Sequence, residues 1–218
     1  VRVEHDNHRE YRIQGGQQYK NSQCSIEGDY SQSAFWLTAG TIGRPISCSN
    51  LYSRSLQGDK AVIDIIRAMG GHISEEQDTF TAHPTPTSGT TIDASQCPDL
   101  VPVLTVLAAV SKGTTHIIKA GRLRIKECDR LKAIAQELNK VGAHVEEQED
   151  SLIIHGKPEL QGGVVESWND HRIAMAMAIA SIKCKEPVTI LGSECVSKSY
   201  PHFWEDFAML GGKIHKQD

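Results

Sequence analysis

The chain repeats itself, and the repeat limits what it can fold into. Asp29, Asp99 and Asp170 each stand ahead of an apolar stretch, at intervals of 70 and 71 residues. The stretches are Ala34 to Leu37, Leu100 to Ala109 and Ile173 to Ile179. A turn and a short β-prone run follow each one: Gly43-Arg44-Pro45-Ile46, then Gly113 to Ile118, then Glu186 to Leu191. A second helical pattern covers 59–69, 129–141 and 200–210. Gly70, Gly142 and Gly211 close these segments at intervals of 72 and 69 residues, where a helix end favours a residue that accepts positive φ. Each glycine leads into a run that reads as a strand: His72-Ile73, His144-Val145 and Lys213-Ile214. Closing strands are expected at Thr79 to Thr81 and Leu152 to Ile154, and the third unit reaches Asp218 before one can form.

A period of about 70 residues exceeds that of solenoid repeats. The expected fold is therefore α/β (α+β), with three pseudo-threefold-related βαβαββ units over about 28–83, 98–155 and 169–218. Leu104, Val106, Leu107, Ala108, Ala109 and Val110 make one helix apolar on all sides, which predicts burial at the centre. The helix over 129–141 has a one-sided stripe of Leu131, Ile134, Leu138 and Val141 and belongs outside. Ala174, Ala176, Ala178 and Ala180, with Ser181, permit close packing between central helices. Aspartates ahead of the central helices act as N-caps, and the helix starts are expected to gather at one end, where their dipoles favour anions.

Residues 1–27 lie outside the repeat. Val1 and Val3, then Tyr11 and Ile13, predict two short strands with a turn near Asp6-Asn7; 15–22 reads as a loop and Ser25-Ile26-Glu27 as a further strand. The opening Val1-Arg2-Val3-Glu4-His5 is neither a start methionine nor a signal peptide. The chain is expected to be a piece of a longer one, with 1–27 the tail of a truncated partner domain.

Composition excludes several classes. Hydrophobic residues make up 39% and charged residues 23%, which suits a folded globular chain. A net charge of −4 lacks the basic balance of a general nucleic-acid binder. No apolar run approaches the roughly 20 residues that span a bilayer; Pro102 and Thr105 interrupt the longest. Six scattered cysteines read as the free thiols of a cytoplasmic protein rather than a disulfide framework. The ten histidines form no HxxxH or HExxH pattern, so no metal site is expected.

Three polar clusters carry the chemistry, and they are expected at corresponding helix starts of the units. Arg122 to Leu131 sets Arg122, Arg124, Lys126 and Arg130 around Glu127 and Asp129. Arginine forks match carboxylate and phosphate geometry, although such a run can also be a self-neutralising surface turn. Asn169-Asp170-His171-Arg172 combines a capping acid, a histidine able to relay protons near neutral pH and a guanidinium. Cys195 to Pro201 places Lys198 before the last helix.

Together with Asp99, these clusters resemble the 5-enolpyruvylshikimate-3-phosphate synthase family. Arg124-Ile-Lys126-Glu127-Cys-Asp129-Arg130-Leu is similar to that family's Arg-x-Lys-Glu-(Thr/Ser/Cys)-Asp-Arg motif, and Asn169-Asp-His-Arg172-Ile-Ala-Met to its Asn-Asp-His-Arg-Met-Ala-Met. Pro98-Asp99, Lys198-Ser-Tyr-Pro201 and Gly28-Asp-x-Ser31 fit as well. The resemblance covers nearly the whole chain and corresponds to the C-terminal half of the family sequence. It implies transfer of the enolpyruvyl group of phosphoenolpyruvate to the 5-hydroxyl of shikimate 3-phosphate, without metal or organic cofactor. By the same carry-over, Asp99 contacts the shikimate hydroxyl as base, Lys126 binds shikimate 3-phosphate, and Glu127 transfers a proton at the vinyl carbon. Arg130, Arg172 and Lys198 bind phosphoenolpyruvate, Lys198 also serving as acid toward the leaving phosphate, and His171 supports that side. Arg122 stands where the family often has Asn and is left out of the site. Family members are about twice as long and hold their site between two domains, so this chain is expected to be inactive, or nearly so, without its missing N-terminal domain. The runner-up resemblance is to the enolpyruvyl transferase acting on UDP-N-acetylglucosamine; a noncatalytic domain of the same fold would have lost the charged residues.

Overall fold

Each repeat builds a helix, a strand and a second helix in a computed structural model that describes residues 1–21 and 23–216. Ahead of the repeats, β1 (Val3–Asp6) and β2 (Glu10–Ile13) pair antiparallel. Asn7 and His8 turn the chain between them with φ of 43° and 60°. Every residue of this hairpin is exposed. The first repeat runs α1 (Tyr30–Ile42), β3 (Ile46–Cys48), α2 (Ala61–Ala68), β4 (His72–Glu76) and β5 (Thr79–His83). The second runs β6 (Thr91–Asp93), α3 (Val101–Ala109), β7 (Thr114–Ile118), α4 (Arg130–Lys140), β8 (Val145–Glu147) and β9 (Leu152–His155). The third runs β10 (Gly163–Glu166), α5 (His171–Ala180), β11 (Val188–Leu191) and α6 (Phe203–Met209).

The central helices α1, α3 and α5 pack pairwise against one another, as the all-round apolar pattern predicts. All residues of α3 and α5 are buried. Each fully buried Val or Leu contributes roughly 1.5–3 kcal/mol relative to exposure, which drives α3 inward through Val101, Val103, Leu104, Val106 and Leu107. Polar side chains within these helices are satisfied locally: Thr105 donates to the Val101 carbonyl at 2.7 Å and Thr41 to that of Leu37 at 2.8 Å.

The outer helices end alike. Gly70, Gly142 and Gly211 take φ of 91°, 89° and 102°. Their amides bond the carbonyls of Arg67, Asn139 and Ala208 at 2.9, 3.1 and 3.0 Å. The following residues, Gly71, Ala143 and Gly212, bond Ile66, Leu138 and Phe207 at 2.8, 3.0 and 2.9 Å. These paired bonds close the last turn and satisfy its open carbonyls.

The strands complete the βαβαββ pattern only in the second unit, among the described residues. Its sheet has the order β6-β7-β9-β8, with β6 parallel to β7 and the rest antiparallel. The first sheet is β3-β5-β4, all antiparallel, and the third is β10 parallel to β11. Two expected strands are absent. Ser25 to Glu27 is irregular because side chains, not a ladder, hold it: Asn50 Nδ2 donates to the Ile26 carbonyl at 3.0 Å and Ser55 Oγ to Glu27 Oε1 at 2.8 Å. Lys213-Ile214 is also irregular; in the first two units the strand after the glycine pairs with a closing strand, and the described residues of the third unit contain none. The expected unit boundary at Asp218 lies outside the described residues.

Candidate active site

The site is organised around Arg130, the first residue of α4. Asp129 caps that helix by accepting from the Lys132 amide at 3.1 Å. The preceding 3-10 turn (Gly121–Ile125) is fastened to the β8–β9 hairpin by Arg124, which reaches Asp129 and Glu147 at 2.8 Å each and the carbonyls of Glu149 and Gln148 at 2.7 and 2.6 Å. So Arg124 positions the motif, while Arg122 is exposed.

Arg130 is only 1% exposed and bonds through all three guanidinium nitrogens. Nε donates to Asp170 Oδ2 at 2.7 Å, Nη1 to Asp99 Oδ1 at 2.8 Å, and Nη2 to Glu127 Oε2 at 2.6 Å and Asp170 Oδ1 at 3.2 Å. Around Asp99 stand two further cations: Lys126 Nζ at 3.2 Å and Arg172 Nη2 at 3.7 Å. Asp99, Lys126, Glu127, Arg130 and Arg172 are thus brought together from three segments. Lys198 sits beside them rather than among them. Its ammonium donates to Asn169 O and Oδ1 at 2.5 and 2.7 Å, next to Asp170, and it forms no ion pair among the described residues.

The sequence view of the aspartates needs revision. Asp29 and Asp170 do cap: Asp29 Oδ1 accepts from the Ser31 amide at 2.7 Å and Asp170 Oδ1 from the Arg172 amide at 2.9 Å. Asp99 caps nothing. It lies inside a 3-10 turn (Pro98–Leu100) ahead of α3 and gives its carboxylate to cations instead. Nor are the three clusters equivalent, since two lead into the outer helices α4 and α6 and Asn169–Arg172 opens the central helix α5. Arg130, which the resemblance assigns to phosphoenolpyruvate, is a buried ion-pair hub.

The electrostatics follow from this packing. Burial pushes the Asp99 carboxyl up, but Arg172, Lys126 and Arg130 outweigh it and hold it below the usual carboxylate range. Asp170, fully buried, is raised by burial but brought below that range by Arg130, the Arg172 amide and His171. His171 is 6% exposed, with Nδ1 buried and unbonded; burial first, then Arg172, hold its pKa below the usual value and keep the ring neutral. Asp59 is pushed up by burial and hydrogen-bonds Ser31 Oγ at the start of α1.

The roles of several supporting residues escaped the sequence reading. Trp168 and Asn169 are non-glycine residues at φ of 55° and 52°, a turn that aims the Asn169 carbonyl at Lys198. Buried Glu137 of α4 holds it, accepting from Trp168 Nε1 at 2.7 Å and the Glu166 amide at 2.9 Å. Tyr200 anchors the Lys198 turn: its hydroxyl accepts from Trp36 Nε1 of α1 at 3.1 Å and donates to Asp206 at 2.6 Å. Positive φ at a large residue leaves no mark in the sequence, and a glutamate inside an amphipathic helix reads as solvent-facing.

The family model of EPSP synthase (3-phosphoshikimate 1-carboxyvinyltransferase) matches residues 1–207. This chain belongs to the EPSP synthase family. Among relatives of this EPSP synthase family chain, the 3-phosphoshikimate 1-carboxyvinyltransferase of Clostridium kluyveri is 59% identical, over 98% of this chain and 50% of the relative. That of Clostridium acetobutylicum is 56% identical, over 99% and 50%. The chain therefore spans about half the length of these relatives. An EPSP synthase structure from Acinetobacter baumannii superposes with a TM-score of 0.86 at 26% identity, over 99% of this chain and 53% of that one. The enolpyruvyl transferase NikO from Streptomyces tendae shares the fold, with a TM-score of 0.70 at 21% identity.

Proposed function

We propose that this EPSP synthase family chain forms one wall of a two-domain active site that transfers the enolpyruvyl group of phosphoenolpyruvate to the 5-hydroxyl of shikimate 3-phosphate. The observation that carries the reading is the convergence of Asp99, Lys126, Glu127 and Arg172 around Arg130. Addition–elimination at a vinyl phosphate needs a base for the attacking hydroxyl, an acid at the vinyl carbon and cations for the anionic groups. Asp99, kept ionised by its cations, is the base, and Lys126 lies against it to hold shikimate 3-phosphate. Glu127 delivers the proton to the vinyl carbon. Arg172, Lys198 and, once a ligand loosens its carboxylates, Arg130 hold phosphoenolpyruvate; Lys198 protonates the leaving phosphate, and neutral His171 supports that side.

In this reading residues 1–27 belong to the partner domain and 28–218 form the three-repeat domain. The fully exposed hairpin and Ile125, 86% exposed beside Lys126, fit a wall that another domain covers. Half a cleft neither excludes water nor positions two substrates, so the 218-residue chain alone turns over little or not at all. No described helix is long and apolar enough to cross a membrane, and cytoplasmic residence goes with this biosynthetic role.

Phosphate release from phosphoenolpyruvate and shikimate 3-phosphate tests the reading. The chain alone is expected to release none. Mixed with the unmatched half of the Clostridium kluyveri relative, it is expected to gain turnover that Glu127→Gln and Lys198→Met abolish. Parent-like rates from the chain alone would overturn the half-site account. Full activity of both variants in the mixture would overturn the assignment of roles.

A further inference from the structure

A second cluster lies outside the ion-paired set around Arg130. His144, just before β8, Glu146 within it and His155 at the end of β9 share one sheet face. Alternate residues of a strand point the same way, which aligns His144 with Glu146. The His155 amide donates to the His144 carbonyl at 2.9 Å, which sets the two histidines opposite each other, their ring centroids 4.5 Å apart. Glu146 Oε1 is 3.0 Å from His155 Nε2 and 3.6 Å from His144 Nε2. Among the described residues, this is the one group of three His, Cys, Asp or Glu side chains whose ligand atoms all lie within 4.8 Å of one another.

We propose that His144, Glu146 and His155 bind a divalent transition-metal ion, with zinc(II) as its representative. Tetrahedral zinc with bonds of about 2.0–2.1 Å places its ligand atoms about 3.3 Å apart, and the separations of 3.0 and 3.6 Å straddle that edge. Two imidazoles and one carboxylate leave a fourth position for water, the ligand set of open zinc sites. The set also suits the first-row ions that imidazole favours. A supporting contact is present: His155 Nδ1 lies 3.2 Å from Thr114 Oγ1 on β7. Without an ion His155 Nε2 hydrogen-bonds Glu146 Oε1 at 3.0 Å; an ion takes the place of that proton, and donation of Nδ1–H to the Thr114 hydroxyl then orients the ring, the usual device for a metal-binding histidine. All three side chains are between 39% and 55% exposed, so an ion reaches them without any opening of the fold.

The repeat supplies an internal comparison. At the same offset of 72 residues, the first unit carries His72, Ser74 and His83. His72 and His83 also pair across their strands, with rings stacked 4.6 Å apart, and Ser74 Oγ is 2.9 Å from His83 Nε2. Both units thus present a histidine pair, and the second adds a carboxylate where the first has a hydroxyl. The site sits on the β8–β9 hairpin, and its three side chains form no ion pair or hydrogen bond with the Arg130 set among the described residues. Ligands drawn from two strands form no local motif, which is why the spacing of histidines along the chain does not reveal the site.

The test is calorimetric titration of the reduced 218-residue chain with zinc chloride, together with imidazole ¹⁵N spectra. One equivalent is expected to bind, with the Nε2 resonances of His144 and His155 shifting on addition. His155→Ala and Glu146→Gln are expected to weaken that binding at least tenfold, while His83→Ala leaves it unchanged. Ser74→Glu is expected to raise the stoichiometry toward two. Binding that survives both His155→Ala and Glu146→Gln, or unshifted His144 and His155 resonances at saturation, would overturn the proposal. A stoichiometry fixed at one in Ser74→Glu would overturn the claim that the carboxylate distinguishes the two units.

Discussion

Trp168 donates its indole N–H to Glu137 Oε1 at 2.7 Å, so a buried carboxylate of α4 holds the left-handed turn that precedes Asp170. The same carboxylate accepts the Glu166 amide at 2.9 Å and the Lys140 ammonium at 2.8 Å. Glu137→Ala strips these donors of their partner. A buried donor left unpaired costs about 1–3 kcal/mol, and two part-buried ones lose their partner here besides the lysine. The expected outcome is a destabilisation of about 3 kcal/mol, read from the urea midpoint. Near-wild-type stability would mean that the turn holds itself.

Arg130 is the next point of leverage. Removing one partner of a buried ion pair costs about 3–5 kcal/mol because the other charge stays behind, and here Asp99, Glu127 and Asp170 all stay. Arg130→Met is expected to destabilise the chain by at least that amount. Adding Asp170→Asn removes the most deeply buried of the three, and the double variant is expected to regain part of the loss. A strictly additive pair of losses would count against the network.

Acid should unfold the chain in two steps. His171 is held below its ordinary value of about 6.5, so just below that pH the unfolded chain binds a proton the folded chain refuses. Its contribution is complete above about pH 6.5 and is lost as pH falls toward the folded value. Asp99 and Asp170 are also depressed, so their contribution is complete above about pH 4, the unfolded range, and disappears as pH drops through their folded values. Urea midpoints measured from pH 8 downward check this, and His171→Gln is expected to flatten the first decline and leave the second.

Thiol reactivity should be strongly unequal. Burial pushes the Cys48 and Cys128 thiols up to about 12 and those of Cys97 and Cys184 up to about 11. Thiolate is the reactive form, and Cys24 is the exposed cysteine. Titration with a disulfide reagent at pH 8 is expected to modify one thiol rapidly and the others slowly, and Cys24→Ser to remove the fast phase. Several equally fast thiols would contradict the packing.

Much of this organisation was legible in the sequence. Three helix-ending glycines at near-equal intervals gave the repeat, and the absence of a polar side over Leu104 to Val110 gave the centre. The motif residues were also legible as a group, since Lys126, Glu127 and Arg130 are neighbours in sequence and Asp99 and Arg172 each stand beside the start of an apolar stretch. What escaped depends on partners distant in the chain. The role of Asp99 rests on Lys126, Arg130 and Arg172 rather than on its own helix. Ser25 to Glu27 looks like a strand by composition, but the side chains of Asn50 and Ser55 take its polar groups. Glu137 is polar on a helix whose outer face is solvated, and only the fold shows that β10 and Trp168 cover it.

Lys126, Arg130 and Arg172 stand against Asp99, Glu127 and Asp170 in one ion-paired set, three positive charges and three negative. An anion that docks there meets no surplus of positive charge. One of the carboxylates must release its cation or take up a proton as the anion arrives. Lys198, whose ammonium rests on the uncharged Asn169, is the cation outside that balance and the natural first point of capture. In the proposed reading the site trades an internal carboxylate for an external one; if the displaced carboxylate takes up a proton, the heat of anion binding varies with the ionisation enthalpy of the buffer, and if it only lets go of its cation, that heat is the same in every buffer.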